Sequence, residues 1–566
     1  MKIKHLFGLA VIAAMTASCS SNEDLGTAGS GTGTNEAGVG YATFTINLPT
    51  TSGTRAGDPT FEAGDPKEYD VNDATLLIFK EAGSSENDYT FVESVNLGSM
   101  APWKDPSETG VTTHAKITAK LNKINTTDKF YALVLLNNGT ESSKKVDLPD
   151  DNQTFSAWNE AKVTDKIANT DAGFYMANAP LYKANKVTTL VPIESTKIYP
   201  TEAQAASNPS TDIYVERGLA KVTVTSASKA TKTIADGTYK DDKVTIQNWG
   251  LDVTNKKSFP VHKTDGTGYD DIWSNTATPS GTNNATTLRF VDNNTTTVAK
   301  RVYWGVDPNY NIAKLNAETT AGKKERTDNF NYVGKDKLTA TTSDAQYCLE
   351  NTFNLDNMMQ GQTTRVVFKA KYVPKGFTEG ATFYMVGKNT AIWTEDNLKD
   401  EIVAAVTKVV PSATTANTTV DLANTENDIT KAGNHLLALS NISVTGVTLD
   451  QTNIDAINTK LGLKDGEGIS TYQDAEAYYI ARVKHFGVLT PWKAGQSYGT
   501  DNLSFLGRYG VLRNNWYELT VDKVSGPGYP DVPEVKPNVP DDENFKYLSV
   551  SVKILSWAKW SHSYDL

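Results

Sequence analysis

The chain has 566 residues, 39% hydrophobic and 21% charged, with a formal net charge of −11. That length suits several domains with sizeable cores, the composition excludes wholesale disorder, and the acidic balance argues against nucleic acid as the partner. Two cysteines, Cys19 and Cys348, and six scattered histidines exclude a disulfide framework and a Cys-rich zinc site.

Lys2, Lys4 and His5 precede an apolar run over residues 6–17, a length that suits an export signal and falls short of the ~20 residues needed to span a bilayer. The run ends Met15-Thr16-Ala17-Ser18-Cys19, which resembles a bacterial lipobox. Residues 1–18 then read as a signal peptide, with Cys19 acylated (palmitate) and the precursor held at the outer membrane by lipid. An ordinary secretory signal with a chance cysteine is the bland alternative. Residues 20–38 are small and polar, a flexible tether.

Phe44, Ile46 and Leu48 alternate with polar residues in the first predicted strand, residues 42–48. Just beyond lies Arg55, the only Lys or Arg between Lys4 and Lys67. A protease specific for basic residues would have one target here, and a cut between Arg55 and Ala56 would sever the strand from the rest. Residues 76–79 and 131–136 are continuous apolar runs that read as central strands buried on both faces. Val215, Leu219, Val222 and Val224 flank a turn at Gly218, and residues 366–373 form a strand stopped by Pro374. Residues 479–483 and 517–521 complete the set. Leu398, Ile402, Val406 and Val409 share one helical face, as do Ile454, Ile457 and Leu461 ahead of Gly462. Residues 229–340, rich in Asn, Thr and Asp, read as surface decoration.

Pro527, Pro530, Pro533, Pro537 and Pro540 mark an extended spacer. It ends in an alternating strand, Leu548, Val550, Val552 and Ile554, followed by Trp557. A spacer of some twenty residues reaches about 60 Å at ~3.1 Å per residue, so the strand is able to leave its own domain. If the first strand departs after cleavage, a groove opens that the terminal strand of another copy can fill, and repetition head to tail makes a filament. Before cleavage, residues 42–48 are expected in a sheet and the terminal residues loose or packed off the core. The bland reading makes both segments ordinary first and last strands of one domain.

The order of lipobox, single Arg, proline spacer and terminal strand resembles the fimbrillins of the Bacteroidales, subunits of type V pili. It is most similar to the structural subunit of the short (minor) fimbriae. Thr54-Arg55-Ala56-Gly57-Asp58 resembles the family's maturation site, residues 511–517 its last core strand, residues 548–566 its donor strand, and residues 215–222 its interdomain junction. The resemblance implies an all-β chain of two transthyretin-like β-sandwich domains with few short helices and a C-terminal extended donor strand. The divisions are 1–18 signal peptide, 19–55 lipidated propeptide with the first strand, 56–215 and 216–524 the two sandwiches, 525–546 spacer and 547–566 donor strand. It implies a fimbrium on the cell surface, built from copies of the chain with tip and anchor subunits. It also implies an Arg-specific maturation protease and contact with a host or bacterial surface receptor.

No zinc-protease, serine-hydrolase or P-loop motif occurs, and no cofactor is called for. Asp265, Asp270 and Asp271 read as a solvated turn, because the spacing misses a calcium loop. Asp474 with Glu476 is a pair any acidic chain supplies, Cys348 reads as a buried apolar residue, and Trp492 as core. The chain therefore reads as a structural subunit. Its rivals are a glycan-binding β-sandwich lipoprotein, with an exposed aromatic platform and a terminal strand packed at home, and a fimbrial tip or anchor subunit. Residues 1–55 carry Lys2, Lys4 and Arg55 against Glu23, Asp24 and Glu36, so a chain beginning at Ala56 keeps the charge of −11.

Overall fold

Period-two alternation and β-branched runs produce a chain built mainly of strands. The computed structural model describes residues 31–49, 65–100, 111–140, 143–183, 186–208, 211–265, 300–342, 344–423, 434–485, 506–541 and 548–555. The first half contributes β1 (Gly40–Pro49), β2 (Val71–Lys80), β3 (Thr90–Met100), β4 (Val111–Leu121), β5 (Phe130–Leu136), β6 (Met176–Asn178), β7 (Leu181–Lys183), β8 (Lys186–Thr188), β9 (Val191–Ile193) and β10 (Thr211–Arg217). Eight of them pair in the order β3-β2-β5-β6-β10-β1-β4, with β9 on β5, while β7 and β8 pair with each other apart from this sheet. One strand joins the two parts of this path. Thr211–Tyr214 of β10 pairs with β1, while Val215–Arg217 pairs with β6. The ends of the path meet where the Asn122 and Lys123 amides donate to the Glu93 carboxylate at 2.9–3.0 Å. Leu76–Phe79 and Leu133–Leu136 are buried at the centre, as their unbroken apolar runs require.

At Gly218 the chain passes into the second sandwich. The strands that follow are β11 (Leu219–Val224), β12 (Lys232–Thr233), β13 (Lys243–Asp252), β14 (Thr254–Asn255), β15 (Lys300–Arg301), β16 (Phe330–Asn331), β17 (Ala345–Leu349), β18 (Arg365–Val373), β19 (Phe383–Val386), β20 (Thr418–Val420), β21 (Ile442–Val444), β22 (Ile469–Tyr472), β23 (Glu476–Arg482), β24 (Trp516–Val524) and β25 (Leu548–Leu555), of which β15 pairs back with β7 of the first half. Two four-stranded sheets, β17-β11-β24-β25 and β12-β13-β18-β23, face each other. Val222, Tyr517 and Leu519 of one meet Trp249, Phe368 and Tyr479 of the other in a common core.

Among the described residues the α-helices are α1 (Phe155–Ala161), α2 (Glu202–Ser207), α3 (Thr320–Asn329), α4 (Glu395–Val409) and α5 (Gln451–Lys460). The last two are those the apolar spacing predicts. They build a small core of their own with β20 and β21, inserted between β18 and β23. The first three are too short or too polar to show an apolar stripe. Thr154, Thr201 and Thr319 nevertheless cap them, each side chain accepting a backbone amide of the first turn.

The reading of residues 229–340 as surface decoration is corrected. Within that span β13 lies between β12 and β18 at the heart of a sheet, and Trp249 is fully buried. Its polar composition hid a strand whose alternate residues Val244 and Ile246 point inward. Residues 266–299, including Asp270 and Asp271, lie outside the described residues.

Candidate functional site

β1 is held on both sides. It runs antiparallel to β4 from Gly40↔Leu121 to Pro49↔Val111 and parallel to β10 from Phe44↔Thr211 to Asn47↔Tyr214. Ala42, Phe44 and Ile46 are fully buried in the first core. Burying Phe44 and Ile46 contributes about 3–6 kcal/mol. On the opposite face the Thr43 and Thr118 hydroxyls meet at 2.7 Å. Gly40 sits where a Cβ would lie 2.6 Å from Ile198 and 2.8 Å from Ile124, so only glycine lets the strand enter there. Leu48 belongs to the β1 ladder, facing Thr113 in register. Withdrawing β1 would leave β4 and β10 as two unpaired edges bounding an apolar slot.

The terminal strand differs from its expected state. β25 pairs antiparallel with β24 of its own chain, from Trp516↔Leu555 to Val524↔Leu548, and Val550 is buried in the second core. Within this ladder Val552 pairs with Leu519 and Ile554 with Tyr517. The strand expected to be loose thus completes its home sheet. Among the described residues β25 has one strand neighbour, whereas β1 has two. Cys19, Arg55, Ala56, Trp492 and Trp557 lie outside the described residues.

The proline segment is not a free spacer. Tyr478 and Tyr529 exchange backbone hydrogen bonds at 2.8 Å, and the Arg365 guanidinium donates to the Pro533 carbonyl at 2.8 Å. It thus lies along β23, which is otherwise the edge of its sheet. Proline spacing shows that a segment is extended. It does not show what a carbonyl-rich extended segment will lie against.

Residues 215–222 cross between the sandwiches through a buried ionic cluster. The fully buried Glu68 carboxylate meets the Lys221 ammonium at 2.7 Å and accepts the Tyr347 hydroxyl. Arg217 donates to the Glu68 carbonyl at 2.7 Å and to the Asn514 side chain at 3.2 Å. Beside them His262 Nδ1 lies 2.8 Å from Glu216, with Nε2 3.4 Å from Glu350, and Arg513 pairs with Glu350 at 3.3 Å. Burial alone would raise the Glu216 carboxyl, but the His262 ring, Arg301 and Arg513 pull it below the ordinary range. A Cβ on Gly305 would lie 2.1 Å from His262 Nε2, so that glycine makes room for the ring. The sequence marked the crossing strands. Glu68, His262 and Glu350 had no local signal, because buried ion partners come from distant segments.

The acidic pairs have structural partners. Glu476 is 2.7 Å from Lys369, and Asp265 bonds to Asn87 and Lys263. Cys348 is buried on β17 and its thiol is pushed up to about 12 by burial, leaving little nucleophilic thiolate at neutral pH.

Residues 470–563 match the family model described as major fimbrial subunit protein type IV, fimbrillin, C-terminal. That matched segment holds β23, β24 and β25. Among solved structures the chain is similar to a candidate cell adhesion protein of Parabacteroides distasonis. Identity is 11% and the TM-score 0.36, covering 92% of this chain and 98% of that one. It is similar to a second candidate adhesion protein, of Bacteroides eggerthii, at 12% identity and TM-score 0.34, covering 92% and 97%. A third is the C-terminally truncated tip fimbrial protein Mfa3 of Porphyromonas gingivalis, at 10% identity and TM-score 0.28, covering 92% and 100%. No curated protein matches the chain.

Proposed function

We propose that the chain is a stalk subunit of surface fimbriae, of the kind that builds short fimbriae, exported as a lipoprotein on Cys19 and matured by cleavage between Arg55 and Ala56. The fimbrillin match over residues 470–563 supports the fimbrial reading. One observation carries the assembly step: β25, which has one strand neighbour among the described residues, has the same alternation as β1, which has two. After cleavage β1 is no longer covalently tied to β2. A β25 that leaves β24 of its own subunit and enters the vacated slot of the next gives up one ladder and gains two, and buries its alternating apolar residues in a preformed core. Tip and anchor subunits cap the polymer, and an Arg-specific protease triggers it.

A glycan-binding lipoprotein also keeps its last strand at home. It further needs an aromatic platform, and among the described residues the exposed large hydrophobics are Tyr332, Leu436 and Leu439, a single aromatic. Native trypsin treatment of the purified precursor tests the proposal. SDS-resistant ladders are expected from the full-length chain and monomers alone from a chain lacking residues 548–566. Monomers from both would overturn it.

A further inference from the structure

The proline segment carries more contacts than an idle linker needs. At its start the Tyr479 and Tyr472 hydroxyls donate to the Gly526 and Gly528 carbonyls at 2.8 and 3.0 Å. At its end the Gln360 amide donates to Val539 at 2.8 Å, Met359 and Pro540 form an antiparallel bridge, and the Asp541 amide donates to Met358 at 3.1 Å. The Asp541 side chain is fully buried and accepts the Thr363 hydroxyl at 2.8 Å. Gly361 admits this end of the segment, since a Cβ there would lie 2.8 Å from Pro537 Cα.

We propose that Asp541 is the anchor from which the terminal strand swings, and that residues 526–541 remain fastened to their own subunit in the filament. This rests on the donor-strand reading above. It changes the geometry of assembly. The reach is set by the seven residue steps from Asp541 to Leu548, about 24 Å at ~3.4 Å per step, in place of the length of the whole spacer. The groove of the next subunit must therefore open close to the Met358–Thr363 turn. The segment also keeps the β23 edge covered while β24 loses β25 and keeps β11, and its prolines offer no amide to a foreign strand.

Two cysteine staples test this in the full-length precursor. Bridge partners have Cα atoms about 4.5–5.5 Å apart, within disulfide range. Met359→Cys with Pro540→Cys fastens the segment just before the anchor, and Thr520→Cys with Ser551→Cys fastens β25 to β24 at a registered pair. After trypsin under non-reducing conditions, the first variant is expected to form ladders within twofold of wild type. The second is expected to stay monomeric until reduced. A first variant that assembles only after reduction overturns the anchor while leaving strand donation intact. A second variant that assembles while oxidised overturns strand donation itself, and the anchor with it. Hydrogen exchange on the unmodified chain gives an independent reading. The Gln360 and Tyr529 amides should keep their protection in the polymer within twofold, and their loss would refute the anchor even if a staple prevented folding.

Discussion

Asp307 shows how burial, rather than sequence neighbours, decides the behaviour of a single residue. Its carboxylate accepts the Thr352 and Asn309 amides, both at 2.7 Å, and the Asn255 side chain, yet burial outweighs these donors and raises it to about 7. An unfolded Asp titrates near 3.9. The folded state therefore binds the extra proton between those values. This contribution is fully present below about pH 4 and lost as pH rises through about 7, with a slope of about 1.4 kcal/mol per pH unit. Asp307→Asn should flatten that slope in urea unfolding measured from pH 4 to 7. An unchanged slope would show that the carboxyl stays ionised. At the same scale, the alternation of Phe44 and Ile46 was legible in the sequence because it is local, whereas the burial of Asp307 was not.

Among the elements, β1 and β25 are the two whose places the proposed maturation would change. Phe44→Ala removes a fully buried ring from the first core and should cost the precursor about 3–5 kcal/mol. If β1 departs on maturation, the assembled polymer made from that variant should melt with the wild-type polymer. Differential scanning of precursor and polymer separates these cases, and a polymer destabilised as much as the precursor would mean that β1 stays in place. The strands themselves were readable: β2, β5, β18 and β24 arise from apolar runs or alternation that any partner would satisfy. Among the described residues, three of the five helices were not, because a helix of six or seven residues, or one as polar as α3, is held by its cap and its tertiary contacts rather than by a stripe.

For the whole molecule, the central question is how two sandwiches behave as one body. Glu68 belongs to the lead-in to β2 and Lys221 to β11, and their ion pair is almost fully shielded from solvent, with the ammonium also 3.9 Å from the Trp516 ring. Lys221→Met removes the ammonium from the buried Glu68 carboxylate, which should cost about 3–5 kcal/mol. Calorimetry should then resolve two unfolding transitions where wild type gives one. A single transition at the wild-type temperature would mean that the cluster does not couple the domains. In the proposed stalk such coupling would be needed, because a pull on β25 of one subunit would pass through both sandwiches to reach the next. With −11 on each subunit, neighbouring filaments of the proposed kind would repel one another, which favours solubility over bundling.

The amino-acid sequence alone determined that this is a β-rich chain, that its two ends carry interchangeable-looking strands, and that one Arg stands between the first strand and the rest. Those properties are written in residue type and spacing over a few positions. Only the tertiary structure decided that β1 lies parallel to a strand more than 160 residues away, that β25 rests on β24, and that the proline segment is fastened as far as Asp541. Each is a choice among partners with equivalent local patterns. Hydrogen-bonding edges and apolar faces are generic, and the chain settles the choice by which distant surfaces remain to be covered.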